Sequence, residues 1–434
     1  MENTIIPSEL TKIGHNVTVI TAHEDHYSSA TNTKWADVSE IRVIRLRSKL
    51  QLLVSRLLRL RVVRLAIQFL NLMDEEFFWA IYAYRYISRL ITTNRPDVIY
   101  ISMAPNSHGL IGCWIKKKFG IPWIARFQDP WAESAIPGWP TYLHYLAARF
   151  TENRYISSAD AVSVLTEGDF RDRVEVAPYS YRKKFEMIRH GIDGDILTQS
   201  LCKGKKTIDT FSITHVGTFY YPWDYGIGGV KKVLKRLARA FVYDRYKVDR
   251  LTHTPYYLIK ALEIVYQRRP DIAQRISLIF VGNLAKQDVD RLETIGFRKR
   301  VKHITRIPYD QVHGVLEKSS LLFLPMMTPK NTRKYFYWNP GKTYDYVACG
   351  VPILACIPRG DLRYFIEETG NTLFADATNP ADIATKIIAY IEAGDDALNG
   401  GRNYAFLLDH TWERQAERTS QLIERVLDSS RNVL

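Results

Sequence analysis

Apolar and polar positions follow a repeating pattern in the first part of the chain. Short apolar runs rich in β-branched residues, typical of buried parallel strands, occur at 17–21, 41–46, 97–102, 122–127 and 159–165. Longer runs with helical spacing occur at 75–93 and 108–119. Strands that alternate with helices predict an α/β domain built on a doubly wound parallel sheet.

The pattern restarts after Asp193. Further strand-like runs occur at 211–216, 276–281, 301–305, 321–324 and 352–355, with a helical run at 256–268. A last helical run, 411–427, follows the end of this second series. A chain of 434 residues is too long for one ordinary core. We therefore expect two Rossmann-like domains, 1–200 and 201–410, and a terminal helix within 411–434.

Composition narrows the class of partner. The chain is 46% hydrophobic and 24% charged, as in globular proteins and not in disordered ones. Its net charge of +14 favours nucleic acid, a phospholipid surface or phosphate-bearing substrates, although a basic solvated surface would give the same total. Nucleic-acid binding rests on charge alone, without a recognisable module, so we expect no nucleic-acid partner.

Cysteine spacing and hydropathy favour the cytoplasm. The four cysteines have no C-x-x-C spacing and no clustered histidines, which argues against a zinc site or a disulfide framework. We find no run of about 18 uncharged apolar residues. The first residues, MENTIIPSEL, lack the basic start and apolar run of a signal peptide.

Two segments interrupt the alternation of strands and helices. Residues 41–73 contain eight basic residues and no acid, and 221–248 separates a strand from its expected helix, so we interpret it as an insertion. Within them, 50–65 and 230–242 divide roughly into basic and apolar helical faces. Such helices would dock on an anionic membrane surface, or they pack on their own domains.

Ligands of open α/β sheets bind beyond the carboxyl ends of the strands. Gly217 and Gly282 each end a predicted strand, where glycine lets backbone N–H groups approach a phosphate or simply forms a turn. A helix begins near Lys342, and its start would offer a diphosphate free N–H groups, an ammonium and a hydroxyl. Asp345, near the first turn, would accept hydrogen bonds from ribose hydroxyls or only complement the helix dipole.

Residues 340–354, PGKTYDYVACGVPIL, carry the most specific resemblance. Their pattern, P-x-K-x-x-(D/E)-Y-x-A-x-G-x-P-I-L, resembles the nucleotide-binding helix of family-4-like retaining glycosyltransferases. These enzymes have the GT-B fold, in which two Rossmann-like domains face a cleft. Looser resemblances occur in the family's order at 14–21, 128–131, 159–162, 189–193, 216–220 and 411–413.

The resemblance implies an acceptor-side domain at 1–200, a donor domain at 201–410 and a terminal helix that crosses back to the first domain. Asp345 would hold the donor ribose, the loop from Gly341 would lie near the diphosphate, and Ile304 to Arg306 would lie beside the base. The donor-binding residues that we expect are Gly217, Thr218, Arg250, Gly282, Ile304, Arg306, Gly341, Lys342, Thr343 and Asp345. Arg250 would supply a further cation, or it is a solvated loop arginine.

Asp129 and His108 are the catalytic residues that we expect. Asp129 ends a strand of the first domain, and His108 starts the helix after Ser102, so both would border the cleft that the resemblance implies. Each has an ordinary alternative, because Asp129 would also serve as a turn carboxylate before Pro130 and His108 as a helix cap.

The expected function is transfer of a sugar from a nucleotide-sugar donor to a lipid-linked or saccharide acceptor in cell-surface polysaccharide synthesis. The nucleotide sugar is the substrate, and we expect no cofactor and no metal. The expected location is the cytoplasm, peripheral to the inner face of the membrane. An alternative function is a non-catalytic remnant that binds nucleotide sugars.

The sequence departs from the family pattern in three respects, and the last of them motivates that alternative. Tyr337 replaces the first acid of the family's E-x7-E pair, and Arg126 and Gln128 replace the Asp and Arg of a bacterial subgroup. The sequence also starts where a first strand and a glycine-rich loop would already have passed. We therefore expect either a misassigned start or a truncated, inactive protein, with a gap in the first sheet.

Overall fold

The structure, a computed structural model, describes most of the chain. The described residues are 2–26, 41–57, 60, 74, 76–133, 138–176, 178–201, 210–222, 224–226, 229, 233, 242–244, 246–330 and 338–431. The region 230–242, for which we predict an amphipathic helix, lies almost entirely outside them, as do Tyr337 and much of 58–65. No described helix is long and apolar enough to cross a membrane.

Strands and helices alternate along both halves of the chain. The strands are β1 (Thr18–Ala22), β2 (Arg42–Leu46), β3 (Ile99–Ser102), β4 (Trp123–Phe127), β5 (Ala161–Val164), β6 (Phe185–Met187), β7 (Phe211–Val216), β8 (Val248–Asp249), β9 (Ile276–Val281), β10 (Val301–Ile304), β11 (Leu321–Pro325), β12 (Thr328–Pro329), β13 (Ile353–Cys356) and β14 (Thr372–Phe374). The helices are α1 (Glu2–Lys12), α2 (Lys49–Leu57), α3 (Phe77–Thr93), α4 (Gly109–Phe119), α5 (Tyr142–Ser158), α6 (Glu167–Val176), α7 (Tyr179–Arg182), α8 (Gly194–Leu201), α9 (Tyr256–Arg268), α10 (Pro270–Arg275), α11 (Lys286–Thr294), α12 (Tyr309–Leu316), α13 (Lys342–Cys349), α14 (Asp361–Thr369), α15 (Pro380–Ala393), α16 (Tyr404–Leu408) and α17 (Trp412–Arg431).

The chain forms two compact units. The N-terminal unit comprises Met1–His190, Phe241–Arg245 and Trp412–Leu434, and the C-terminal unit comprises Gly191–Ala240 and Tyr246–Thr411. The chain therefore passes between the units four times. The division lies ahead of α8, whereas we expect it at residue 200, because α8 packs within the C-terminal unit. There Leu197 is fully buried and Ser200 accepts a hydrogen bond from Arg402 (2.7 Å).

The N-terminal unit contains a parallel sheet in the order β3-β4-β5-β6. β1 and β2 form a separate parallel pair. β4 is buried at every position, as expected for a strand covered by helices on both faces. α4 approaches it closely, since a Cβ on Gly112 would lie 2.4 Å from the ring of Trp123. Because these strands are parallel, the residues after Ser102 and Phe127 lie at one edge of the sheet.

The C-terminal unit contains a parallel sheet in the order β10-β9-β7-β11-β13-β14. β8 and β12 form a short antiparallel pair beside it. The main core packs β7, β9 and β11 against α9 and α15, with Phe280, Phe323 and Leu262 among its buried side chains. Two units with parallel sheets and flanking helices confirm the predicted α/β architecture of two Rossmann-like units.

Two distant parts of the chain complete the N-terminal unit. α17 packs against α1, where Ile6 and Leu10 share a buried cluster with Trp412 and Ile423. Near the end of the predicted insertion, Tyr243 pairs with Trp139 in an antiparallel bridge through two N–H to carbonyl hydrogen bonds of 2.8 Å. The insertion therefore contributes backbone pairing to the N-terminal unit.

A buried ion pair joins α1 to β4. The Nε atom of Arg126, whose side chain is 1% exposed, lies 2.6 Å from a carboxylate oxygen of Glu2. Arg126 also donates to the carbonyl of Ile188 (2.6 Å), and Nδ1 of His190 lies 2.8 Å from Glu2. Burial alone would raise the pKa of Glu2, but Arg126 and His190 lower it to about 2. Arg126, which departs from the family pattern, thus has a structural role here.

Replacing Glu2 with glutamine should leave a buried guanidinium without its charge partner and lower the free energy of unfolding by about 3 kcal/mol. Because folding lowers the pKa of Glu2, the contribution of the pair is present above pH 4.5 and is lost as the pH falls towards 2. Urea denaturation at pH 7 and pH 4 measures both effects. Glu186→Gln, which breaks the exposed pair with Arg425, is the control and should cost under about 1 kcal/mol. Equal losses for the two variants would contradict this account.

Candidate functional site

Gly217 and Gly282 end the neighbouring strands β7 and β9 and pack against each other. The N–H of Gly217 donates to the carbonyl of Val281 (2.8 Å), and a Cβ on Gly282 would lie 2.1 Å from the Gly217 carbonyl oxygen. Both have positive φ, 126° and 135°, which glycine adopts at little cost. Position 282 therefore has to be glycine, because the backbone of the adjacent loop at Gly217 leaves no room for a side chain. Gly217 faces Lys342 instead, since a Cβ there would lie 3.2 Å from Nζ.

Side chains from other segments hold the loop that follows β7. The N–H of Phe219 donates to Asn283 Oδ1 (2.7 Å), and Asn283 Nδ2 donates back to the Phe219 carbonyl (2.9 Å). The N–H of Tyr220 donates to Nδ1 of His253 (3.1 Å). Thr218 is exposed, and its N–H has no acceptor among the described residues. The loop thus presents one unused amide beside Gly217.

α13 begins at Lys342 and is tied to the end of β7. The N–H of Val216 donates to the hydroxyl of Tyr346 (2.8 Å). The expectation of free amides at the helix start is met only in part, because the N–H of Thr343 donates to Pro340 (2.9 Å) within the turn. Gly341 is exposed, so the helix start is open to solvent. Thr343 is fully buried, and its hydroxyl has no partner in the described part of the chain.

The ammonium of Lys342 lies against a buried histidine. Its Nζ is 3.3 Å from Nε2 of His215, and Nδ1 of His215 is 3.0 Å from the carbonyl oxygen of Phe323. A carbonyl only accepts hydrogen bonds, so Nδ1 carries the ring proton and Nε2 accepts from the lysine. His215 is fully buried, and burial, followed by Lys342, lowers its pKa well below the usual range. The imidazole is therefore neutral.

Desolvation lowers the pKa of Lys342 to about 7. Within the described residues, no carboxylate lies close enough to raise it again. Burial, with a further contribution from Lys342, also lowers the pKa of His253 to about 2. The site therefore combines one cation, neutral imidazoles and an unused amide, and none of the carboxylates that the structure describes neutralises the cation. Such a set of donors is suited to an anion with several oxygens.

Asp345 lies one turn into α13. One of its carboxylate oxygens accepts a hydrogen bond from the hydroxyl of Tyr309 at the start of α12 (2.7 Å). Burial, and then Asp345 itself, raises the pKa of Tyr309, so this hydroxyl stays protonated and keeps donating. The contact fixes the carboxylate near the helix start, where ribose binding stays a prediction.

The remaining predicted donor residues differ in their placement. The carbonyl of Ile304 accepts from the N–H of Gly282 (2.9 Å), which brings the end of β10 to the paired glycines. Arg306 lies two residues beyond β10 and is exposed. Arg250 begins a 3-10 turn, Arg250–His253, and is half-buried. The roles of these residues stay predictions.

Asp129 and His108 follow β4 and β3, neighbouring strands of the N-terminal unit. Asp129 is exposed, yet desolvation raises its pKa against the opposing influence of His190. His108 does not cap α4 with its side chain. Its Nδ1 lies 3.3 Å from the carbonyl of Ser102, and its ring packs on Trp79. Burial lowers the pKa of His108, although Asp74 opposes this.

Sequence reasoning missed His215 and His253. His215 is a polar residue near the end of a strand that is otherwise buried, and such a residue is a weak signal of a ligand site. His253 precedes α9 in the run LTHTP, where nothing in the local pattern marks it. His215 becomes recognisable only when the fold brings Lys342, which lies far away in sequence, against it. His253 becomes recognisable only through its hydrogen bond from Tyr220 and the charge of Lys342 that acts on it.

Two family models match the chain. The family described as "Glycosyl transferase 4-like domain" matches residues 8–176, and the family described as "Glycosyl transferases group 1" matches residues 250–393. Together these ranges cover well over half of the chain. The chain belongs to the GT-B, family-4-like glycosyltransferases. No curated protein matches its sequence.

Solved structures share the fold of this glycosyltransferase at low sequence identity. A sucrose-phosphate synthase from Thermosynechococcus elongatus has a TM-score of 0.61 at 14% identity, over 98% of this chain and 92% of its own. An α,α-trehalose 6-phosphate synthase from Burkholderia multivorans has a TM-score of 0.57 at 11% identity, over 90% and 86%. A UDP-forming α,α-trehalose-phosphate synthase from Burkholderia xenovorans has a TM-score of 0.53 at 11% identity, over 81% and 80%. At these identities the likeness establishes the fold.

The pKa of Lys342 predicts how the stability of the glycosyltransferase depends on pH. Folding lowers this pKa from 10.5 to about 7, so the folded state binds fewer protons between these values. The free energy of unfolding should therefore rise with pH in this window, and Lys342→Met should remove that rise. The free energy of unfolding of the variant, minus that of the wild type, should fall by roughly 1.4 kcal/mol per pH unit above pH 7.

Urea denaturation at pH 7, 8 and 9 measures this difference. Lys302→Met, at an exposed position of β10, is the control and should show no such trend. A constant difference between Lys342→Met and the wild type would mean that the pKa of Lys342 is not lowered in the folded protein.

Proposed function

We propose that this glycosyltransferase uses a nucleotide-sugar donor whose diphosphate binds between the start of α13 and the loop after β7. The observation that carries the proposal is the Lys342 ammonium, which the fold partly removes from water beside His215 without a carboxylate counter-ion among the described residues. A diphosphate would supply the missing negative charge. The Burkholderia xenovorans neighbour, described as UDP-forming, is consistent with such a ligand.

Each part of the site has a role in the proposed reaction. As the glycosidic bond to the donor breaks, negative charge builds up on the leaving diphosphate. Lys342 and the positive end of the α13 dipole would stabilise that charge more strongly in a partly desolvated site than in water. The N–H of Thr218 would add a hydrogen bond, and Asp345 would hold the ribose. In this proposal these groups stabilise the leaving group without a metal ion.

The finer parts of the proposal are a retaining reaction and a lipid-linked or saccharide acceptor in cell-surface polysaccharide synthesis. They rest on the family resemblance. Asp129 and His108, at the carboxyl edge of the N-terminal sheet, are the candidates for contacts with the acceptor. The pKa of Asp129 is raised and the pKa of His108 is lowered. Both shifts are of the kind found in side chains that exchange protons with substrates.

Apolar faces of the N-terminal unit support docking on an anionic membrane. On α2, Leu50, Leu53 and Leu57 share one helical face and are 52%, 54% and 40% exposed, close to the basic residue Arg56. On α5, Tyr142, Leu143, Leu146 and Phe150 are exposed close to Arg149 and Arg154. Exposed apolar side chains beside cations are the composition that interfacial helices use at anionic lipid.

A panel of UDP-, GDP-, ADP- and dTDP-sugars tests the proposed donor class. A ligand that binds only the folded state raises the melting temperature, and the nucleotide sugar with the largest effect is then tested for transfer and for the anomer of the product by NMR. Retention of configuration supports the proposal, and inversion contradicts its retaining part. Binding without transfer to any acceptor would favour the non-catalytic remnant, and no binding by any member would refute the proposed function.

Asp345→Asn should weaken binding of the nucleoside diphosphate selected in this way by about tenfold or more, because a hydrogen bond to a carboxylate is lost or weakened. Binding of inorganic pyrophosphate, which has no ribose, should change little. Titration calorimetry measures both. Asp310→Asn, at an exposed neighbouring position on α12, is the matched control. Equal affinity of Asp345→Asn and the wild type would refute the ribose assignment.

Leu53→Ser together with Leu57→Ser should reduce sedimentation with vesicles that contain phosphatidylglycerol by severalfold, because less apolar surface would enter the interface. Ile13→Ser replaces a similarly exposed side chain, 47% exposed, outside these faces and should have no effect. Unchanged vesicle binding by the double variant would show that α2 does not dock. Binding to vesicles of phosphatidylcholine alone, compared with binding to vesicles that contain phosphatidylglycerol, measures how much the lipid charge contributes.

A further inference from the structure

His253 is a fully buried histidine at the end of the turn that precedes α9. Its Nδ1 accepts a hydrogen bond from the backbone N–H of Tyr220 (3.1 Å). An amide N–H only donates, so Nδ1 carries no proton. A neutral imidazole then has its single proton on Nε2. The hydrogen bond to the loop after β7 therefore fixes the tautomer of His253.

The Nε2–H group has no partner in the part of the chain that the structure describes. The atom is buried and contacts no hydrogen-bond acceptor there. The rings of Trp338 and Tyr220 pack against the imidazole, with centroids 4.7 Å and 5.1 Å away. A buried donor without an acceptor destabilises a fold, and folds rarely keep one unless a ligand completes the bond.

The charges that act on His253 indicate what that ligand is. Lys342 contributes positive charge and lowers the pKa of both His253 and His215. Both ring nitrogens of His215 already have partners, because Nδ1 donates to the carbonyl of Phe323 and Nε2 accepts from Lys342. The donor of His253 therefore lacks an acceptor, and the cation of Lys342 lacks a carboxylate counter-charge among the described residues. A single polyoxygen anion would satisfy them together.

We propose that His253 donates a hydrogen bond from Nε2 to the diphosphate of the bound donor substrate, next to the ion pair that the same diphosphate forms with Lys342. The inference rests on the proposed function and adds a binding residue to it. His253 stays neutral, so its hydrogen bond strengthens binding without adding a second charge to desolvate. It also couples the ligand to the loop after β7, because the same ring accepts from Tyr220.

The two residues should differ in how their contribution depends on pH. The pKa of Lys342 is about 7, so above that pH Lys342 must take up a proton when the ligand binds. The pKa of His253 is about 2, so this ring gives the same donor throughout the range from pH 6 to pH 9. The groups that act on it, Lys342, His215 and Tyr220, do not change its tautomer in this range.

Two substitutions separate binding to the ligand from support of the loop. His253→Asn keeps an acceptor near the position of Nδ1 for Tyr220 but has no group at the position of Nε2. His253→Gln places an amide N–H near that position. Titrations with inorganic pyrophosphate, UDP, GDP and ADP should show that His253→Asn binds about tenfold or more weakly than the wild type, by the same factor at pH 6 and pH 9. His253→Gln should lose less, and His313→Gln on α12 should match the wild type.

Wild-type affinity retained by His253→Asn would overturn the inference while leaving the proposed function intact. If the wild type binds none of these probes, the proposed function is refuted, and the inference that rests on it fails with it. Should His253→Asn fail to fold, NMR of the wild type labelled with 15N-histidine decides. The Nε2–H tautomer should be observed, and its signal should shift when pyrophosphate saturates the protein. A signal that does not move under saturation overturns the inference.

Discussion

A lysine ammonium held beside a neutral, fully buried imidazole is the interaction on which the C-terminal site depends. The carbonyl of Phe323 fixes the tautomer of His215, and that tautomer gives Lys342 an acceptor without giving it a counter-charge. The fold thus holds a cation that water solvates poorly and no carboxylate among the described residues neutralises. A site of this kind stores free energy that an anionic ligand releases on binding, which is how preorganised electrostatic sites act.

Backbone contacts keep that arrangement in place. Gly217 and Gly282 touch, and Ile304 accepts from Gly282, so the ends of three adjacent strands form one continuous hydrogen-bonded set. Tyr346 extends the set to α13 through the N–H of Val216. Because these residues come from separate parts of the chain, the geometry around Lys342 is a property of the whole sheet and not of a local motif.

Periodicity predicted the parts of the fold in which burial is uniform. β4, β7, β9 and β11 are short, mostly buried segments with β-branched or other apolar side chains at most positions, and the structure contains strands at those positions. β6 and β14 were missed, because each has only three residues and leaves no period to detect. The motif at 340–354 identified Lys342 and Asp345 through family resemblance. Their partners His215, His253 and Tyr309 were not predicted, because contacts between residues that are distant in sequence leave no local pattern.

In the N-terminal unit, too, a contact between residues that are distant in sequence could not be predicted. The basic residue at position 126 departs from the family pattern, and sequence alone offered no reason for it. The structure gives one, since its guanidinium contacts Glu2 and the carbonyl of Ile188, and His190 contacts the same carboxylate. A departure from a motif can therefore record a different internal pairing as well as a loss of activity.

The four passages of the chain between the two units also affect how the protein can be divided. Neither unit is one continuous stretch of sequence, because α17 and the residues around Tyr243 belong with the N-terminal sheet. A fragment that ends before Trp412 would leave the apolar side of α1 at Ile6 and Leu10 uncovered. A single nick ahead of α8 would instead give two pieces held together by α17 and the residues around Tyr243, so co-purification of such pieces would reflect shared folding of the N-terminal unit.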